Sequence, residues 1–245
     1  MRYKVFFCLA AVFLFSAAAF SQSVIITPKK TVYRRLKPES DYRRTFTITY
    51  PKVKAASLVL SRKIESVLSF EKNFELNLKE EIAGEYQWLE SGDYRVGFNR
   101  NGVLSIELFI EGSGAYPSTS VRRIVVDLQT GNRIKAPDAF ANPDALAARV
   151  RQIQREKIEA NYEDRREDED FKELREDIAE ELKDVDFTAE NLEGFTVDDK
   201  GVTFHYDYGF RHAIRALEPD GDYFLAWTEI KPFIKPAGLL GKFVR

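Results

Sequence analysis

The chain has 245 residues, 44% of them hydrophobic and 31% charged, the balance of a folded soluble protein and not of a disordered one. Lys and Arg number 37 against 39 Asp and Glu, so the net charge of −2 argues against a polyanion-coating protein. One Cys and two His leave little for a metal site or a cysteine-based catalyst.

Arg2 and Lys4 precede an uncharged apolar run from Val5 to Phe15, and small residues follow through Ser21. This is the pattern of a secretory signal peptide, so residues 1–21 are expected to be cut away after Ser21, or else after Ala19. The apolar run is shorter than the roughly 20 residues of a spanning helix. Cys8 lies inside it, without the small residues that precede a lipidated Cys. Cleavage removes that Cys, so the mature chain is expected to be disulfide-free, soluble and extracytoplasmic, periplasmic or secreted, with no membrane span.

Residues 42–50 alternate, with Phe46, Ile48 and Tyr50 on one side and Thr45, Thr47 and Thr49 on the other, which predicts a half-buried strand ended by Pro51. From Ser57 to about Phe74 the spacing turns helical, with Leu60, Ile64, Val67, Leu68 and Phe74 on one stripe. Glu85–Glu90 and Tyr94–Arg100 read as two strands around a Ser91-Gly92-Asp93 turn. Asn101-Gly102 then predicts a type I′ hairpin leading into Val103–Ile110. Gly112–Pro117 reads as a loop, Ser120–Asp127 as a further strand and Thr130-Gly131 as a turn. Strands joined this closely must pair antiparallel.

Asn142-Pro143-Asp144 starts a helix: Asn caps it, Pro suits its first turn, and Asp faces the positive dipole end. Helical spacing continues to about Lys183, broken near 161–168, with Leu146, Val150 and Ile153 on one stripe and Phe171, Leu174, Ile178 and Leu182 on another. Phe195–Val197 and Val202–Tyr206 predict a second hairpin, Pro219–Asp222 a turn, and Tyr223–Trp227 a strand, with Thr228 capping a short last helix. The expected fold is α+β: an antiparallel sheet with helices packed on one side.

Charge is unevenly spread. Residues 29–54 carry a local balance of +7 and residues 156–186 one of −9. Both read as solvated surface, or else as segments that dock a partner or face each other. A short basic stretch in an acidic chain does not suit nucleic acid.

No reaction emerges from the motifs. His205 and His212 lack the spacing of a zinc site, and Gly112-Ser113-Gly114 lacks that of an exposed serine nucleophile. Nothing forms a phosphate loop, Asp220-Gly221-Asp222 lacks calcium-loop spacing, and no cofactor or metal is expected. A pair of carboxylates remains open as hydrolytic machinery. Tyr206, Tyr208, Phe210, Tyr223, Phe224 and Trp227 cluster late in the chain, as core or, where exposed, as a binding face.

The segment Val126-Asp127-Leu128-Gln129-Thr130-Gly131, with Asp138-Ala139-Phe140 beyond it, resembles a signature of the DUF3298 family. Phe195–Tyr206 is similar to that family's hairpin, and Tyr223–Ile234 to its closing strand and helix. Upstream, Phe46–Val53 and the following helix resemble the DUF4163 region that precedes it. The resemblance divides the mature chain into 22–110 and 111–245, as in the extracytoplasmic part of RsiV-type anti-sigma factors and the accessory region of PdaC-type deacetylases. It implies an envelope-facing module, while the family's Gly-Gly-Ala-His loop stands here as Gly112-Ser113-Gly114-Ala115-Tyr116, with Tyr in place of His. Binding of lysozyme, as by the anti-sigma factors, is not carried over.

The expected role is non-catalytic recognition of a cell-envelope protein or a peptidoglycan-related ligand. The ligand-binding residues expected are Gly112, Ser113, Gly114, Tyr116, Tyr206, Tyr208, Tyr223 and Trp227. The alternatives are a carboxylate-dependent glycan hydrolase and a structural envelope protein.

Overall fold

The computed structural model describes residues 23–245. The expected signal segment, Cys8 and both cleavage positions lie outside the described residues. The first sheet has five strands in the order β1-β2-β3-β4-β5: β1 Ile25–Arg34, β2 Thr45–Lys54, β3 Leu89–Arg100, β4 Val103–Ser113 and β5 Pro117–Asp127. All neighbours are antiparallel except β2 and β3, which run parallel where Thr47 meets Ser91 and Ile48 meets Gly92. A parallel step needs a long crossover, and helices α1 (Leu58–Val67), α2 (Phe70–Asn73) and α3 (Leu78–Ala83) supply it.

The crossover fills one face of the sheet. Phe46 and Ile48 of β2, Ile106 and Leu108 of β4 and Ile124 of β5 pack with Ile64, Leu68 and Phe70 into one core. The predicted stripe is therefore the buried one, although the helix breaks at Leu68 into α1 and α2. Ser57 caps α1, its hydroxyl accepting from Leu60 N at 3.1 Å.

Three expectations change here. β1 was not anticipated: it is an edge strand whose residues are mostly exposed, so it needs no apolar alternation. Pro51 does not end β2, because it faces Pro28 of β1 and neither residue has an amide to offer that pair. Ser91-Gly92-Asp93 is not a turn, because β3 runs straight through it. Gly92 is there for close packing: a Cβ would lie 3.2 Å from the Phe70 ring and 3.4 Å from Ile48.

The Asn101-Gly102 hairpin forms as predicted, with φ of 52° and 70° at the two turn residues and Arg100 opposite Val103. Positions 110 and 111, between which the resemblance would place a boundary, both lie within β4.

Beyond a short α4 (Ala136–Ala139), Asn142 caps α5 (Pro143–Asp164), its side chain accepting from Ala145 N at 3.2 Å. The predicted break separates α5 from α6 (Glu169–Glu173) and α7 (Arg175–Leu182). A second sheet, β6 Phe195–Val197, β7 Gly201–His205 and β8 Asp222–Ala226, is wholly antiparallel. Phe140, Leu146, Val150, Phe187, Phe195, Phe204 and Tyr223 pack with Phe98, Val103 and Val125 from the far face of the first sheet. Val197 N donates to Ser105 Oγ at 3.1 Å, which ties β6 to β4. The last helix, α8 (Trp227–Ile230), starts two residues earlier than expected: Thr228 lies inside it, the N-cap position is Ala226, and Glu229 accepts from Ala226 N at 2.9 Å.

The architecture is α+β, with antiparallel-dominated sheets and helices packed beside them. The strands divide into two sheets, where a single sheet was expected.

Candidate functional site

Three connectors meet at one end of the first sheet, and Arg43 joins them. Its guanidinium donates to Gln87 O at 2.7 Å and to Ser113 O at 3.0 Å. Gln87, itself buried, donates to Lys37 O at 2.9 Å and Gly84 O at 3.0 Å and accepts from Glu39 N at 3.0 Å. The β1–β2 connector, the approach to β3 and the β4–β5 hairpin tip are thus one hydrogen-bonded unit.

That unit holds apolar groups out in solvent. Leu36 is 76% exposed, Tyr42 78%, Tyr86 60% and Tyr116 60%. Ser40 and the Arg43 guanidinium, which lies over the Tyr42 ring 5.7 Å from its centroid, pull the Tyr42 phenol below its ordinary pKa. Tyr116 stacks on His212, centroids 4.1 Å apart and planes at 23°.

The loop expected at Gly112–Pro117 narrows to a tip. Gly112 and Ser113 belong to β4, and only Gly114, Ala115 and Tyr116 connect it to β5. Gly112 is buried beneath Trp88, where a Cβ would collide with that residue's carbonyl and indole. The Trp88 indole donates to Ser118 Oγ at 3.2 Å. Gly114 and Tyr116 are exposed, and Ser113 is half-buried and lends its carbonyl to Arg43.

The late aromatics go elsewhere. Tyr223 is fully buried, and its hydroxyl lies 2.5 Å from that of Tyr208, which is also buried. Burial pushes both phenols up in pKa. Tyr206 is half-buried, edge-on to Tyr208 at 5.0 Å. Trp227 is half-buried, stacks on Phe243 at 4.7 Å and donates from its indole to Asp199 O at 3.0 Å. Packing thus takes Tyr208 and Tyr223 out of any surface, and of the late cluster Phe224, at 43%, is the exposed member. Tyr42 and Tyr86 fall in runs that the sequence reads as strand, 42–50 and Glu85–Glu90. Tyr42 instead lies in a 3-10 turn (Asp41–Arg43) ahead of β2, and Tyr86 lies ahead of the start of β3 at Leu89. Leu36 sits in the β1–β2 connector, where no periodicity marks it.

His205 is hydrogen-bonded at both ring nitrogens, Nδ1 to Asp222 Oδ1 at 2.6 Å and Nε2 to Thr196 Oγ1 at 2.8 Å. The three residues lie on β8, β7 and β6, so they form a polar ladder across the second sheet. Among the described residues no group of three His, Cys, Asp or Glu side chains converges as metal ligands would. No ion pair among the described residues joins the basic stretch to the acidic one: Arg35, Arg43, Arg44 and Lys52 all pair elsewhere. No described helix is long and apolar enough to cross a membrane.

No protein-family model matches the sequence, and no curated protein matches it. Two crystal structures share its fold. A DUF3298 family member from Bacteroides fragilis aligns over 91% of this chain and 98% of its own, with a TM-score of 0.59 and 16% identity. A DUF3298 family protein from Pseudomonas aeruginosa aligns over 88% of this chain and 95% of its own, with a TM-score of 0.55 and 11% identity.

Proposed function

We propose that this chain is an exported, non-catalytic recognition module that binds a cell-envelope protein or a peptidoglycan-related glycan through the face made by Tyr42, Tyr86 and Tyr116. The observation that carries this reading is the exposure of three tyrosines on a base held by Arg43 and Gln87. Tyrosine covers large area at a small cost in conformational freedom, so exposed tyrosines carried on hydrogen-bonded connectors are suited to contact. Export rests on the signal-like residues 1–21. Division into a DUF4163-like region, 22–110, and a DUF3298-like region, 111–245, and kinship with RsiV-type and PdaC-type envelope proteins, belong to this same reading.

The test uses the chain from Gln22 to Arg245 in co-sedimentation with purified peptidoglycan and in capture of envelope proteins. The triple variant Tyr42→Ala, Tyr86→Ala, Tyr116→Ala is expected to lose about tenfold or more in retention, at unchanged melting temperature. Retention equal to wild type would rule this face out.

A further inference from the structure

Among the described residues β1 is an outer edge of the first sheet, with β2 as its one strand neighbour. The bond from Arg35 N to Arg44 O, at 2.9 Å, sets the phase of that ladder. Odd-numbered residues of β1 turn their backbone groups to β2, and Ile26, Lys30, Val32 and Arg34 turn theirs to the open side. The pairing of Pro28 with Pro51 agrees with this phase, since it falls where no amide points across.

Side chains alternate along the same strand. Tyr33 stacks on the core residue Phe46 at 4.9 Å, so Lys30, Val32 and Arg34 lie on the opposite face. All three are exposed, Val32 at 60%. Neither Lys30 nor Arg34 has an ion-pair partner among the described residues.

We propose that this edge takes an extended acidic peptide of a partner protein as a sixth strand. Main-chain bonds to residues 30–34 supply the pairing, and side chains set the choice. A strand beside β1 brings alternate side chains against Lys30, Val32 and Arg34, which fits an acidic, apolar, acidic sequence at every second position. A second copy of β1 is the wrong occupant, because it sets Lys and Arg against Lys and Arg. Pro28 keeps long strands from pairing along the whole edge. This site lies on β1 itself, and its pairing does not rest on the tyrosine face.

The probe is an acetylated, amidated heptapeptide that alternates Thr with Glu, Val and Glu; its control carries Lys for Glu. Binding to the chain from Gln22 to Arg245 is read by anisotropy, and amide exchange locates it. The acidic peptide is expected to bind, to slow exchange at Lys30, Val32 and Arg34 while leaving Ile26, beyond Pro28, unchanged, and to weaken about tenfold or more between ~50 mM and ~500 mM salt. Val32→Pro removes an outward donor at an edge position that accepts proline, so it should abolish binding with the fold intact. Lys30→Glu with Arg34→Glu should move the preference to the Lys peptide, and it decides the matter should the proline variant fail to fold. Absence of binding up to ~1 mM, indifference to charge reversal, or protection of the same amides by self-association without peptide would each overturn the proposal.

Discussion

Arg35 and Glu81 form an ion pair at 2.6 Å with both side chains almost wholly removed from solvent. The pair is also a backbone clamp: Arg35 donates to Leu89 O at 2.5 Å and Arg43 O at 3.0 Å, while Glu81 accepts from Leu89 N at 3.1 Å. It joins α3, the start of β3 and the connector that carries Tyr42.

Removing one partner leaves the other charge buried and unpaired. Glu81→Ala should cost about 3–5 kcal/mol in urea unfolding, and Arg35→Met with Glu81→Leu should cost less than that single change. The Tyr42 connector should also lose amide-exchange protection in Glu81→Ala, since Arg35 holds Arg43 O.

Gly112→Ala should disturb the tip of the β4–β5 hairpin without touching the tyrosines directly. Its methyl would strike the backbone and ring of Trp88, and overpacking of this kind costs about 1–3 kcal/mol. The expected reading is a lower melting temperature with a shift in tryptophan emission. An unchanged emission spectrum would show that the indole is not packed on this strand.

Asp222 links stability to pH. Its hydrogen bond with His205, helped by the charges of His205, Arg123 and Lys157, holds the carboxyl below its ordinary pKa against the opposing effect of burial. A depressed carboxylate pKa stabilises the fold above its unfolded value, near 4, and that contribution disappears as pH falls through the folded value. The melting-temperature gap between wild type and Asp222→Asn should therefore be full at about pH 6 and close as pH falls below about 4. A gap that stays constant down to about pH 3 would contradict the linkage.

Local chemistry was legible in the chain itself. Asn101-Gly102 specifies its hairpin because both residues tolerate positive φ, and Asn142-Pro143 specifies a helix start through one side-chain oxygen and one fixed φ. The Ile64 and Leu68 stripe and the Phe46 and Ile48 alternation mark their buried faces by period alone. Decisions made between distant segments were not legible. β1 became a strand only because β2 offered it an edge, and Gly92 became a packing residue only when Phe70 lay across it. The same holds for the aromatics: Tyr223 and Tyr116 look alike in sequence, yet one closes a core and the other stands in solvent. Period and cap act within a few residues, whereas exposure depends on what the rest of the chain brings alongside.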